Sequence, residues 1–211
     1  PYRRQRQMCI RDRTAMSKAK PELEAAIKDS DVEILDYIWY GGDSSYENVE
    51  MLKNNPLVTG ADMLFGVGGG RACDTVKTLA DMLDKPFFTF PTLASNCAAC
   101  TAITVMYNPD GSFKEYYYMH GPSYHTFINT KIIADSPERL LWAGIGDALS
   151  KECEVLYAGR DKFMYHTPLM GQCIAKICTT PLIEYGAKAL EACRSNKPDF
   201  ALEQVALDII I

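Results

Sequence analysis

The feature that most constrains the fold is a glycine-rich turn between a short apolar run and a helical pattern. Met63-Leu64-Phe65 leads into Gly66-Val67-Gly68-Gly69-Gly70, and a helical pattern follows at once. Such a turn forms a ready anion site, because backbone N–H groups point outward and no Cβ blocks close approach. It predicts a site for a nucleotide pyrophosphate, although it is not the GxGxxG of an ordinary Rossmann unit. A tight turn without a ligand is the alternative, and this segment alone leaves both open.

Composition excludes several classes of partner. The net charge is −5, and basic residues accumulate only at the start of the chain, which argues against nucleic-acid binding. No apolar run approaches the roughly 18 residues of a membrane span, and no secretory signal pattern is present. The eight cysteines lack the spacing of a small disulfide scaffold, so we expect reduced thiols in a cytoplasmic protein.

Both ends of the sequence lack the patterns expected of a complete domain. Residues 1–13 are basic and without periodicity, and we interpret them as an artefactual or disordered leader outside the fold. The sequence stops at Ile211 within an apolar helical pattern that has no cap. We therefore expect a fragment truncated at both ends, with Val205, Leu207 and Ile209 exposed where further helices would cover them.

The first part of the chain alternates between strand and helix patterns. The expected order is a helix over 14–29, a strand over 32–35, a helix over 46–54 capped by the loop 41–45, a strand over 61–67, a helix over 71–83 and a strand over 87–90. This order predicts a parallel, doubly wound α/β layer.

The pattern then changes twice. The runs 102–107 and 113–119 flank Asn108-Pro109-Asp110-Gly111 and predict a β-hairpin, and 126–129 predicts one more short strand. From Ser136 onward the pattern is helical, with Ser136 as N-cap and Pro137 at the first helical position. We therefore predict an α/β domain over 14–135 and the start of an all-helical domain over 136–211.

A small, hydroxyl-rich loop follows the strand at 87–90. Residues 91–101 (PTLASNCAACT) lie where ligands bind in open α/β sheets, beyond the carboxyl end of a strand. The loop is suited to a ribose, a nicotinamide or a phosphate, and a simple polar connection is the alternative. Cys97 and Cys100 form a CxxC pair, for which two partly buried thiols are favoured over a redox or metal role because no second pair accompanies them.

A carboxylate lies within the apolar helical pattern of the second domain. Asp147 belongs to the segment Gly144 to Lys151, and its two glycines favour close approach of another backbone. A carboxylate in such a setting is paired or binds a metal. An ion pair with Lys151 and a metal site are equally compatible with this pattern.

The chain contains three histidines, and none has a spacing that pairs it with Asp147 on one helix face. His120 and His125 flank a Gly-Pro turn, and His166 lies at a helix boundary. We expect none of the three to be a metal ligand.

Three blocks together resemble the glycerol dehydrogenase branch of the iron-containing alcohol dehydrogenase family. They are GVGGGRACDTVK at 66–77, FPTLASNCAACTAITVMYNPDG at 90–111, and SPERLL at 136–141 with GIGDALSKECE at 144–154. The likeness covers about residues 20–211, and the order and spacing of the blocks also fit. The resemblance implies an N-terminal nucleotide-binding domain, a helical metal-binding domain and an active site between them.

The resemblance also implies roles for particular residues. NAD or NADP would bind Gly68, Gly69, Gly70, Arg71 and Ala72 around the pyrophosphate, and along the nicotinamide half it would meet Thr92, Ser95, Thr101, Ile103 and Tyr107. Asp147 matches the first ligand of a divalent metal, zinc or iron. The implied reaction oxidises a small alcohol or polyol, with hydride transfer from a metal-bound alkoxide to the nicotinamide. The implied full-length protein is a cytoplasmic homo-oligomer.

The sequence departs from the family pattern in several places. The two further histidine ligands are absent, and His166 comes too early to replace either. We also expect the first strand of the nucleotide-binding domain, with its contact to the adenine ribose, to be missing, which leaves NAD and NADP undistinguished. Cys97 stands where a substrate-contacting aspartate is expected, and Arg71 where a lysine or serine is more usual.

Two other functions are compatible with the same blocks. A sugar-phosphate cyclase of the dehydroquinate synthase type would need several cations, and the blocks offer only Arg71, Lys77 and Lys151. A nucleotide-binding fragment without catalysis is the other alternative. From these 211 residues alone we expect weak cofactor binding and no turnover.

Overall fold

The structure, a computed structural model, describes residues 5–13 and 15–211. The chain divides into two compact units. The α/β unit comprises the chain as far as Thr92 together with Cys97–Asn129, and the helical unit comprises Leu93–Asn96 and Thr130–Ile211. The boundary at 129/130 precedes the predicted one near 135, because the helix Thr130–Ala134 packs against helices of the second unit.

In the α/β unit, strands and helices follow one another as β1 (Gln5–Arg11), α1 (Met16–Ile27), β2 (Val32–Trp39), α2 (Tyr46–Lys53), α3 (Pro56–Gly60), β3 (Met63–Gly68), α4 (Gly70–Met82), β4 (Phe87–Pro91), β5 (Ile103–Tyr107), β6 (Phe113–Tyr118) and β7 (His125–Thr126). A parallel sheet has the order β2-β1-β3-β4-β7, and β5 and β6 pair separately as an antiparallel hairpin. The predicted α/β class with a parallel sheet and a hairpin is confirmed.

Strand β1 corrects the exclusion of residues 1–13 from the fold. Residues 5–11 lie inside the sheet, paired in parallel with both β2 and β3. Met8, Cys9 and Ile10 are completely buried. The first strand, which the sequence analysis expects to be missing, is therefore present. Three apolar residues between polar neighbours are too few to give a recognisable strand period. Residues 1–4 lie outside the described part of the chain.

Smaller differences concern short elements. Helix α3 is not predicted by the sequence, because five residues are too few to show a helical period. The strand expected at 126–129 is the two-residue β7, His125–Thr126. The capping prediction at 41–45 is confirmed, since the Ser45 side chain accepts a hydrogen bond from the Asn48 N–H at 3.3 Å.

The helical unit contains α5 (Thr130–Ala134), α6 (Glu138–Gly159), α7 (His166–Arg194) and α8 (Phe200–Ile210). Its helical class agrees with the prediction, but its first cap does not. Pro137 is the N-cap residue of α6, and the hydroxyl of Ser136 is buried with no hydrogen-bond partner in the described residues. None of the helices in the described part of the chain has both the length and the apolar character needed to cross a membrane.

The end of the helical unit also differs from expectation. Val205 and Ile209 are buried, and of the three residues predicted to be exposed only Leu207 is accessible. The reason is tertiary: α8 lies along α7 and buries its own apolar face there. Exposed apolar side chains occur instead on α6 and α7, among them Tyr157, Ile177 and Ile183.

Candidate nucleotide-binding site

The glycine turn leaves the first N–H groups of α4 without a capping side chain. β3 ends at Gly68, Gly69 is the N-cap residue, and α4 starts at Gly70 with no side-chain cap. The first intrahelical bond runs from the Cys73 N–H to the Gly69 carbonyl, at 3.1 Å. The N–H groups of the first turn and the positive end of the helix dipole are therefore placed to hold an anion.

Gly68 is required by the geometry of this turn. Its φ is +156°, a conformation that residues with a Cβ rarely adopt. A Cβ at Gly68 would also lie 2.8 Å from the Ala72 Cβ and 3.0 Å from the Asp12 Cβ. The turn can therefore bring β3 this close to α4 only with glycine at position 68.

Thr92 lies beside the turn. Its N–H donates to the Gly68 carbonyl at 3.0 Å, which ties the end of β4 to the end of β3. Its hydroxyl is buried and has no partner in the described residues. A buried hydroxyl with unused hydrogen-bonding capacity next to an open helix N-terminus fits a polar ligand at this edge of the sheet.

Arg71 and Tyr107, both predicted to contact a cofactor, contact each other. The Arg71 guanidinium lies 4.8 Å from the centre of the Tyr107 ring and 3.2 Å from an Asp43 carboxylate oxygen. Asp43 belongs to the loop after β2 and is not among the predicted site residues. Its carboxylate partly neutralises Arg71, so the turn depends on backbone N–H groups and the helix dipole for much of its positive potential.

The structure reveals a buried lysine that the site prediction does not include. Lys77 is completely buried in α4, and its ammonium lies 3.0 Å from an Asp74 carboxylate oxygen. The ammonium also donates to the carbonyl oxygens of Ala98 and Ile103, at 2.5 and 2.8 Å, and to the Thr101 hydroxyl, at 3.2 Å. Lys77 is therefore fully engaged within the α/β unit and does not serve as a cation for a phosphate.

Burial and the contact with Lys77 act in opposite directions on the pKa of Asp74. Burial raises the pKa of the Asp74 carboxyl above its usual value, while Lys77 and the Val105 N–H oppose the rise by stabilising the carboxylate. Both charges have lost their hydration, and the hydrogen bonds that they make to each other and to the neighbouring backbone offset that loss.

Cys97 and Cys100 form a turn. The Cys100 N–H donates to the Cys97 carbonyl at 3.2 Å, and burial, followed by the neighbouring Cys97, raises the pKa of the Cys100 thiol. A raised pKa lowers the fraction of thiolate, the form that reacts with oxidants and metals. Among the described cysteines no disulfide is formed. The side chains of Cys97 and Cys100 are both partly buried, as the sequence predicts.

In the helical unit, α6 approaches the segment Leu93–Asn96 at one glycine. A Cβ on Gly144 would lie 2.2 Å from the Ala94 carbonyl oxygen and 2.8 Å from the Ser95 Cα. The expected close approach of backbone is therefore confirmed for Gly144. It is wrong for Gly146, around which a Cβ would meet nothing within 4 Å.

Asp147 is paired with a lysine at the surface. The Lys151 ammonium lies 3.1 Å from the Asp147 carboxylate and 3.0 Å from that of Glu154. Within residues 5–13 and 15–211, no group of three or more His, Cys, Asp or Glu side chains is arranged to hold a metal ion. The described residues therefore do not form a metal site around Asp147.

The histidines lie apart from Asp147 in the chain and have other surroundings. The His120 ring contacts the Asp81 carboxylate at 3.0 Å, and the His125 ring stacks on Phe88. His166 is the first residue of α7, at the helix boundary where the sequence predicts it.

Comparison with known proteins identifies the family. The sequence model described as iron-containing alcohol dehydrogenase matches residues 2–126, which is more than half of the chain. The chain belongs to the iron-containing alcohol dehydrogenase family. The matched residues include the glycine turn, α4 and the hairpin, and the family resemblance stated from the sequence is confirmed.

Relatives within this family carry different names. The chain is 31% identical over 207 residues to a glycerol dehydrogenase of Escherichia coli O6:H1, covering 95% of this chain and 56% of the relative. It is 32% identical over 157 residues to a glycolaldehyde reductase of Halobacterium salinarum, covering 72% and 43%. The chain thus spans about half the length of these curated relatives.

A solved structure of the family has the same architecture. The crystal structure of glycerol dehydrogenase from Schizosaccharomyces pombe superimposes with a TM-score of 0.84 at 25% identity, covering 98% of this chain and 53% of that chain. The structural comparison therefore agrees with the sequence comparison in the family, and it covers both the parallel sheet and the helical region of this chain.

Proposed function

We propose that this chain binds NAD or NADP as part of an oxidoreductase that acts on the CH–OH group of a small alcohol or polyol, such as glycerol or a 1,2-diol. The observation that carries the proposal is the uncapped N-terminus of α4 behind a turn that only glycine can form at Gly68. Relatives named glycerol dehydrogenase and glycolaldehyde reductase support the substrate class.

The α/β unit has residues suited to both halves of the dinucleotide. Gly68, Gly69, Gly70, Arg71 and Ala72 would hold the pyrophosphate, chiefly through backbone N–H groups. Thr92, Thr101, Ile103 and Tyr107 would line the nicotinamide half, with Thr92 contributing its unused hydroxyl. When bound, the nicotinamide supplies the hydride acceptor, and the role of these residues is to bind and orient it. A contact from Ser95 stays a prediction.

Asp147 is the one metal donor that the family resemblance assigns to this chain, and we propose it as a ligand of a divalent ion, zinc or iron. The described residues do not fit such an ion, because the Asp147 carboxylate is held by Lys151 and no two further donors accompany it. We therefore derive no step of the reaction through the metal. A substrate contact at Cys97 likewise stays a prediction.

The cations of the structure do not favour a sugar-phosphate cyclase. Such an enzyme needs several free cations around a phosphate. Arg71 is paired with Asp43, Lys77 is buried with Asp74, and Lys151 is shared by two carboxylates. Homo-oligomerisation and a cytoplasmic location stay predictions.

Binding of NADH by the 211-residue chain tests the proposal. Isothermal titration calorimetry should detect weak binding, and Gly68→Ala should weaken it by about tenfold or more, because the new Cβ meets Ala72 at the turn. Gly111→Ala is the matched control. Its φ is +82°, so the backbone is strained as well, but it lies in the hairpin loop with open space around the new Cβ.

The outcomes separate the alternatives. Binding that survives Gly68→Ala would place the ligand elsewhere in the chain. No binding of either nucleotide, NADH or NADPH, by the unmodified chain would overturn the proposal. Binding without turnover in a longer chain that carries the whole metal site would favour a nucleotide-binding protein without catalysis.

A further inference from the structure

Helix α4 is buried on all sides over most of its length. Every residue from Ala72 to Ala80 is buried, including the charged Asp74 and Lys77. A buried ammonium is strongly destabilising unless its charge is balanced and its hydrogen bonds are satisfied. Lys77 lies two turns into the helix, and the structure shows which groups balance its charge and accept its hydrogen bonds.

Three of the four groups around the ammonium belong to a single segment of the chain. The carbonyl oxygens of Ala98 and Ile103 and the hydroxyl of Thr101 all accept hydrogen bonds from Lys77. The Thr101 hydroxyl in turn lies 3.2 Å from the Ile103 carbonyl. One ammonium thus holds a connection that has no regular strand or helix between Ala98 and Ile103.

Asp74 bonds the same segment two residues further along the chain, at Val105. One carboxylate oxygen contacts Lys77, and the other accepts a hydrogen bond from the Val105 N–H at 3.2 Å. The charged pair therefore fixes the whole segment 98–105 against α4. Charge-assisted hydrogen bonds of this kind are the stronger ones in proteins, and they define the position of the backbone they hold.

We propose that Lys77 is a positioning residue that sets the segment 98–103 for the nicotinamide half of the dinucleotide. The inference rests on the proposed function, because Thr101 and Ile103 are the cofactor contacts assigned to that segment. Helix α4 then has two tasks in the same binding event. Its N-terminus holds the pyrophosphate, and about two turns further on Lys77 aligns the loop.

The proposal separates two ligands that share the pyrophosphate. ADP contains the adenosine and the pyrophosphate but no nicotinamide riboside. Its affinity should therefore depend on the glycine turn and be nearly independent of Lys77. The affinity for NADH should depend on both the glycine turn and Lys77. The ratio of the dissociation constants for NADH and ADP therefore reports on the segment 98–103 alone.

Calorimetric titration of NADH and ADP into matched variants is the test. Lys77→Met keeps an unbranched side chain, one atom shorter, and removes its charge. We expect it to raise the Kd for NADH by about tenfold and to leave that for ADP within about twofold. Lys85→Met is the control, since the Lys85 ammonium also holds loop carbonyls, those of Thr59 and Ala61, at the other end of β3. It should leave the ratio unchanged.

A second variant guards against unfolding. Lys77→Met alone leaves the Asp74 carboxylate buried without its cation, whereas Asp74→Asn/Lys77→Met removes both charges and keeps an acceptor for the Val105 N–H. This double variant should fold, show faster hydrogen exchange over residues 98–105 than the unmodified chain, and show the same loss of NADH affinity.

The results that overturn the inference are distinct. Equal weakening of NADH and ADP would mean that Lys77 acts only on the stability of the unit. An unchanged ratio in a folded variant would mean that the loop does not contact the nicotinamide half. If the unmodified chain binds ADP but not NADH, the positioning role is overturned while the glycine turn remains a nucleotide site. If it binds neither, the proposed function fails as well.

Discussion

Two lysine–aspartate pairs with nearly the same ammonium–carboxylate distance lie in different units of this protein. The ammonium–carboxylate distance is 3.0 Å between Lys77 and Asp74 and 3.1 Å between Lys151 and Asp147. The side chains of the first pair are 0% and 8% exposed, and those of the second 39% and 40%. Distance alone therefore does not distinguish a pair that organises a loop from one that lies on a helix surface.

The difference follows from what surrounds each pair. Lys77 donates to the carbonyl oxygens of Ala98 and Ile103, and Asp74 accepts from the Val105 N–H, so the buried pair is bonded to one connecting segment of the chain. Water competes for Lys151 and Asp147, and the same ammonium is shared with Glu154. The buried pair is thus part of the architecture, and the exposed pair is a local feature of α6.

The largest expected effect is the loss of stability when the buried pair is broken. Lys77→Met should lower the free energy of unfolding by about 3–5 kcal/mol, because an uncompensated carboxylate remains in the interior. Asp74→Asn/Lys77→Met should cost less than the single substitution. Urea unfolding followed by circular dichroism measures both, and a single variant as stable as the double one would contradict the importance of the charge pair.

The next effect concerns the two glycines that precede Asp147. Gly144→Ala should destabilise the helical unit by about 1–3 kcal/mol, because the new Cβ collides with backbone at Ala94. Gly146→Ala, in open space on the same helix, should stabilise it by about 0.5–1 kcal/mol through helix propensity. Thermal unfolding should therefore show a lower melting temperature for Gly144→Ala and a higher one for Gly146→Ala. Two substitutions of the same sign would mean that the approach at Gly144 is not a tight one.

A smaller effect is expected at the exposed pair. Lys151→Met should change the free energy of unfolding by less than about 1 kcal/mol, and the change should shrink as salt is added, because the pair is screened by solvent ions. Measuring the variant at low and high ionic strength checks this. A loss of unfolding free energy as large as that caused by Lys77→Met would contradict the prediction. It would show that the Asp147–Lys151 pair stabilises α6 as strongly as the Asp74–Lys77 pair stabilises α4.

The smallest effect is expected in metal content. The 211-residue chain and its Asp147→Asn variant should both lose added zinc on dialysis, since the carboxylate has a lysine as partner and belongs to no group of three or more metal donors in the described residues. Elemental analysis after dialysis provides the measurement. Zinc that is retained by the unmodified chain and lost in the variant would show that Asp147 binds the ion together with other ligands.

Local sequence patterns predict much of the fold. The glycine turn, the helix that follows it and the hairpin after β4 all agree with their predicted bounds to within one or two residues. The family resemblance rests on the same segments. Each depends on residues close in sequence, since glycine permits the turn and hydrophobic periodicity defines the elements on either side.

Contacts between distant segments account for the failures. Strand β1 carries no period of its own and is fixed by pairing with β2 and β3, and Val205 and Ile209 are buried because α8 lies along α7. The surroundings of Lys77 are not predictable from the sequence for the same reason, since the loop groups that it contacts lie 21 to 26 residues away along the chain.

The sequence by itself determined the α/β class, the glycine turn at the start of α4, the family, and the two equal interpretations of Asp147 as an ion pair or a metal ligand. The tertiary structure decided which side chains are taken out of water. Lys77, which the sequence offers as a candidate cation for a phosphate, is buried and bonded to the segment 98–105, whereas Asp147 lies partly exposed on its helix with Lys151. Burial sets the strength of a charge interaction, and burial is a property of the packed chain that no local pattern contains.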